Sequence, residues 1–257
     1  MSVLNVLLFF ILYAIGNLPD PWRPKSLITR LLLNLGTKIL LACLFYYAPL
    51  NAFSWSFVFL NIAMALAAAF ALYTDNYSRF FERTDLIQSV FLANLFSIGL
   101  PFRDSNTFSY AFFFPYLMGN AIALAIGFLR EKELGTKNVY IENFHNFFVE
   151  SKISSISLFV AILFFLGTPP LHGIVWRIAL INAVYDCGRI ASMVAFIICF
   201  CSVGYVYFRW MLAIFQKNSR PRVEPMSSLR NRIDIFAVVC TLGVVFCSVF
   251  RQMSLTN

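Results

Sequence analysis

The chain has 257 residues, of which 60% are apolar and only 12% charged, against roughly 45–50% and about 25% in an ordinary soluble domain. Twenty basic and twelve acidic residues cannot cover a soluble domain of this length, which excludes a cytosolic enzyme, and thirty phenylalanines exclude disorder. The composition is that of a membrane protein.

A bilayer core takes about 20 mostly apolar residues per helix. Cutting the chain where charge and turn residues cluster predicts eight spans: residues 2–18, 26–48, 53–73, 85–100, 108–130, 153–182, 190–215 and 233–249. The predicted fold class is therefore all-α, a polytopic membrane helix bundle forming a single membrane domain over residues 1–257. The opening run has neither a basic n-region nor a small-residue cleavage site, so it reads as a helix and not as a signal peptide. The first and fourth spans are short and the sixth is long, which predicts tilt or a break. Gly167-Thr168-Pro169-Pro170 supplies the break, because two successive prolines cannot complete a helical ladder. Cys43, Cys187, Cys199, Cys201, Cys240 and Cys247 all lie in or beside apolar runs, where they serve as small hydrophobes and argue for neither disulfides nor a metal.

Charge is distributed by connection. Those after the first, third, fifth and seventh spans carry fourteen of the twenty basic residues, and the opposite connections carry Arg103, Arg189 and Arg251. The positive-inside rule then puts the odd-numbered connections on one side, cytoplasm or matrix, and both termini on the other. The net charge of +8 is thus a topology signal and gives no case for nucleic-acid binding; the basic loops face lipid or a partner. The polar connection 131–152 has phenylalanines at 144, 147 and 148 around His145, and reads equally as an amphipathic surface helix or a solvated linker. No glycine-rich phosphate cradle, Ser-His-Asp arrangement, paired carboxylates or haem-spaced histidines occur.

The informative residues are charges inside spans, since one at the bilayer centre costs about 2.5–3.5 kcal/mol and is usually paired or functional. Lys38 lies near the middle of the second span, too deep for its stem to reach either interface. It is either the structural partner of a carboxylate or a proton-carrying site. Arg177 follows the Gly167-Pro169-Pro170 break, with His172 between them as a possible proton relay or a cap on the broken turn. A broken helix beside a buried cation is how transporters line a midplane ion path. Arg209 and Asp234 lie near span ends and read as anchors. Asp85, with Glu82 and Arg83, opens the fourth span, where an acid suits a helix N-terminus. No acid then remains in mid-span, which predicts that the carboxylate for Lys38 comes from another chain.

These motifs resemble the antiporter-like subunits of respiratory complex I, most closely the C-terminal half of NADH-ubiquinone oxidoreductase chain 2. Gly167-Thr168-Pro169-Pro170-Leu171-His172-Gly173-Ile174-Val175-Trp176-Arg177 is similar to that family's Gly-x-Pro-Pro-x-x-Gly-Phe-x-x-Lys signature in a discontinuous helix. Tyr205-Val206-Tyr207-Phe208-Arg209-Trp210 is similar to the end of its next helix, and Leu31 to Lys38 to its lysine-bearing helix. Ala67 to Asn94 resembles its pair of helices joined by a short polar turn, and Trp22-Arg23-Pro24 a Trp-x-Pro after an earlier broken helix. Tyr13 and Ala14 stand where the family has a lysine, Lys25 where it has an acid, and Arg177 where lysine is usual.

The resemblance implies the last eight helices of a fourteen-helix, antiporter-like membrane-arm subunit of proton-pumping NADH:ubiquinone oxidoreductase. Its partners would be other membrane-arm subunits, including a separately encoded N-terminal half, and lipids. Lys38 would hold or relay a proton, and Arg177 would set the potential near a second half-channel. NADH, FMN, iron-sulfur clusters and ubiquinone would bind elsewhere in the complex, with no cofactor on this chain. The implied location is the mitochondrial inner membrane, basic connections in the matrix and termini in the intermembrane space. Two other readings stay open: a free-standing cation/proton antiporter or solute carrier, and a membrane-arm scaffold that no longer pumps.

Overall fold

A computed structural model describes residues 2–18, 22, 24–47, 55–97, 112–167, 173–186, 190–217 and 227–254. The helices are α1 (Ser2–Gly16), α2 (Leu27–Tyr47), α3 (Trp55–Leu72), α4 (Tyr77–Ser97) and α5 (Phe114–Leu134), then a one-turn α6 (Phe147–Glu150), α7 (Lys152–Leu166), α8 (Gly173–Asp186), α9 (Ile190–Phe215) and α10 (Ser227–Ser254). The fold is an all-α membrane helix bundle. Leu27–Phe45 and Ser192–Phe215 are each long and apolar enough to cross a bilayer.

The polarity of α2 shows why lipid is the solvent. Its outward residues are apolar, with Leu32 69% and Ile28 69% exposed, while Asn34, Thr37 and Lys38 are buried at helical spacing. Water would select the reverse; hydrocarbon selects this. Helix α4 is the central element, packed against α2, α3 and α5, and Val90 to Phe96 are buried all round. Behind it α9 packs on α3, α7 and α8, and α10 lies along α5 and α7.

The predicted boundaries hold for α9, agree closely for α1 to α3, and fail at α4, which starts at Tyr77, eight residues before the predicted 85. Charges at Arg79, Glu82 and Arg83 read as a loop, yet Asn76 caps the helix there, its side-chain oxygen accepting from the Arg79 N–H at 3.2 Å. Arg83 donates to the Phe70 carbonyl and the Thr74 hydroxyl, tying the charged first turns of α4 to the end of α3.

The sixth span is two helices, as the Gly-x-Pro-Pro break predicts. Helix α7 stops at Gly167, which is left-handed at φ 73°, a conformation that favours glycine. Residues 168–172, including Pro169, Pro170 and His172, lie outside the described residues.

The connection after α5 corrects both expectations for 131–152. It is neither a surface helix nor a solvated linker but a folded strap against the bundle end. A 3-10 turn (Ile141–Phe144) and α6 bury Phe144 and Phe147. The Phe144 ring lies 5.0 Å from Tyr77 and 5.4 Å from Trp210, centroid to centroid. Backbone bonds from the Tyr77 N–H to the Val139 carbonyl and from the Ile141 N–H to the Asp75 carbonyl, both 2.7 Å, close the strap on α4. Beneath it Arg130 pairs with Glu133 at 3.1 Å and Glu150 at 2.7 Å, and Arg230 pairs with Glu133, in a buried quartet of two cations and two anions. Arg209 pairs with Asp75, as an anchor at a span end should, and Asp234 accepts from Ser151 and Ser154. These contacts, with Arg30 to Glu131 at 2.7 Å, bring together described helix ends that border the connections after the first, third, fifth and seventh spans.

Candidate functional site

Lys38 is 2% exposed and its charge is answered within its own chain, by Asp85. The ammonium straddles the carboxylate, 2.8 Å from Oδ1 and 2.9 Å from Oδ2, with the hydrogen bond directed at Oδ2. The expectation of a carboxylate from a neighbouring polypeptide is therefore overturned. Its cause is the displaced start of α4: once that helix begins at Tyr77, Asp85 sits eight residues inside it, about 12 Å from the N-terminus. It faces α2 and does not serve as an acid on the first turn.

Three elements hold the pair. Asn34, one turn before Lys38 on α2, accepts from the ammonium at 2.8 Å. Asn17, just past the end of α1, donates to Asp85 Oδ2 at 2.9 Å and accepts from Asn34 Nδ2 at 3.2 Å. The four side chains close a ring of hydrogen bonds, with Asp85 Oδ1 held only by its ion-pair contact to the ammonium, and pairing of this kind is the condition for keeping charges in a low-dielectric core. Tyr13, where the family resemblance expects a lysine, donates its hydroxyl to the Glu82 carbonyl on α4.

Two spaces adjoin the ring. A cleft of about 50 Å3 runs from Asn17 past Ser78 and Glu82 to Arg30 and Glu131. An inner cavity of about 20 Å3 opens on Asp85 and is lined by Thr84, Gln88, Asn120, Phe165 and Tyr207 among others. That is room for about one water, and the polar partners a buried water needs are present.

Arg177 lies beyond that cavity, and its role follows from the break. In a continuous helix residue 169 would donate to the Phe165 carbonyl and residue 170 to that of Leu166. Both are prolines and have no N–H. Arg177 takes their place: Nη1 donates to the Leu166 carbonyl at 2.6 Å and Nη2 to that of Phe165. The Gly167 N–H bonds the Leu163 and Phe164 carbonyls at 3.1 and 3.0 Å, so all four terminal carbonyls of α7 are satisfied. Arg177 is 8% exposed, and its guanidinium carbon lies 4.8 Å from the centre of the Phe200 ring. Gln88 reaches the same Phe165 carbonyl from α4 at 3.4 Å. The structure thus arranges Lys38, Asp85, the inner cavity, the end of α7 and Arg177 in sequence, and puts Gly167 at the break.

Sequence reasoning missed Asp85, Asn17, Asn34 and Gln88. A signal existed for most of them: Asn34 and Lys38 are four residues apart, and Asp85 and Gln88 three, each pair on one helix face. Asn17 offers no such spacing.

No protein-family model matches the sequence, and no curated protein matches it. Solved structures do. The chain is similar to one of respiratory complex I from Thermus thermophilus, solved with bound aureothin, at 14% identity and a TM-score of 0.57, over 95% of this chain and 65% of that one. It is similar to a chain of the Mrp complex from Dietzia sp. DQ12-45-1b at 12% identity and a TM-score of 0.63, over 99% of this chain and 57% of that one. The chain therefore spans less than two thirds of either. What these likenesses establish is architecture: the chain shares the helical membrane fold of these two chains.

Proposed function

We propose that the chain is part of an antiporter-like ion-translocating module in the membrane arm of a complex I-type NADH:ubiquinone oxidoreductase, working in the mitochondrial inner membrane. The observation that carries the reading is the buried Lys38–Asp85 pair, in a ring whose Asn17 lines an outer cleft and whose Asp85 lines an inner cavity. A proton reaching Asp85 frees Lys38 from its counter-charge, and a proton leaving Lys38 leaves the carboxylate in need of one, so the pair couples charge movement on its two sides. In this reading the basic connections lie in the matrix, the termini in the intermembrane space, and redox cofactors on other subunits. A separately encoded N-terminal half supplies the helices that lie outside this chain's overlap with the longer structural neighbours. Asp85 removes the need for a foreign carboxylate, so that part of the proposal rests on the resemblance alone.

The test is proton uptake by vesicles holding the native assembly, purified through a tag on this chain. Lys38→Met and Asp85→Asn are expected to lower uptake at least about tenfold, in line with the default functional role of intramembrane charges, with NADH oxidation slowed in parallel. Native rates in both variants would overturn the reading and leave a scaffold. Co-purification with no NADH-oxidising partner would leave a free-standing carrier.

A further inference from the structure

Terminal carbonyls of a half-helix carry the negative end of its dipole, and in broken transmembrane helices such groups coordinate Na+ or H+. At the end of α7 that position is taken by the chain itself. Arg177 binds the two carbonyls that Pro169 and Pro170 leave without donors, and it lies against Phe200 with no carboxylate in ion-pair contact among the described residues. The Phe165 end of this arrangement forms a wall of the cavity onto which Asp85 opens. An ion moving from Asp85 toward α7 meets a charge that no physiological pH removes. A metal cation on this route needs those carbonyls as ligands. A proton, passed between side chains and water, needs no vacant coordination shell.

We propose that Arg177 is the specificity-determining residue of the module, a tethered cation that fills the site at the end of α7 and excludes alkali-metal cations from the route beyond Asp85. The proposal rests on the translocation reading above and goes beyond it by assigning what is kept out.

The experiment compares sodium entry into vesicles holding the native assembly with Arg177→Gln, which loses the charge, and Arg177→Lys, which keeps a charge but gives up the fork. Arg177→Gln is expected to raise sodium entry about tenfold or more, since an arginine on a pore acts as an electrostatic barrier to cations, with Arg177→Lys near the native level. Arg177→Gln as tight as the native protein, or Arg177→Lys leaking equally, overturns the proposal. If Arg177→Gln does not assemble, Arg177→Ala prepared in free guanidinium replaces it: washing the guanidinium out must open sodium entry, and entry indifferent to it overturns the proposal. Proton uptake in the same vesicles, with Lys38→Met as reference, judges the translocation reading separately, while sodium entry still decides the barrier.

Discussion

Lys38 and Asp85 are 47 positions apart in the chain and in direct contact in the core, so the energetics of each depends on the other. Removing one partner of a buried pair leaves an uncompensated charge and costs about 3–5 kcal/mol, whereas replacing both with apolar residues of similar volume is often neutral or stabilising. Lys38→Met and Asp85→Leu should each lower the melting temperature of the detergent-solubilised assembly markedly. The double variant should return to within a few degrees of native while proton uptake stays lost. Equal destabilisation of single and double variants would show that the pair is not coupled. What the sequence disclosed here was the buried cation, because a charge in a long apolar run is visible on its own. Its partner was hidden, since Asp85 stands close to Glu82 and Arg83, and local composition cannot tell an acid on the first turn from one two turns deep.

For the elements, periodicity and breakers served well where runs were long and clean. Helix α9 begins and ends as predicted, and the Gly-x-Pro-Pro break falls at the end of α7. Helix α4 was misread because its first two turns are amphipathic, with Arg83 held by the end of α3. The overlooked cue was Asn76 three residues before Arg79, and Asn76→Ala should cost about 1 kcal/mol as a lost N-cap, measurable as a shift in thermal unfolding. At the break, Arg177→Met should cost about 2–3 kcal/mol, because two buried carbonyls lose a charged donor. Alanine at both Pro169 and Pro170 restores the N–H groups that extend α7, so the same change in that background should cost at least about 1 kcal/mol less. A double-mutant cycle on unfolding temperature reads this directly, and strict additivity would disconnect the arginine from the prolines.

At the scale of the molecule, the charge asymmetry between connections is a signal that sums over the whole chain. Described helix ends that border the odd-numbered connections are joined through Arg30 with Glu131, Arg209 with Asp75 and Arg230 with Glu133. The strap 135–151 was illegible because its two readings differ only in what Phe144 and Phe147 pack against, and those partners, Tyr77 and Trp210, are distant in sequence. Phe144→Ala should cost about 3–5 kcal/mol as a large-to-small core change and release the strap first. Limited proteolysis from the basic-loop side should cut near residues 136–146 faster than in the native protein, while helix content holds.

The Phe165 carbonyl is grasped from two directions, by Gln88 on α4 and by Arg177 on α8. Gln88 rides on the same face of α4 as Asp85, less than one turn further along. A rotation of α4 that parted the aspartate from its lysine would carry Gln88 with it, and with Gln88 its hydrogen bond to this shared oxygen. A photo-crosslink between residues 88 and 165 that slowed proton uptake would show that the two ends work as a short mechanical lever.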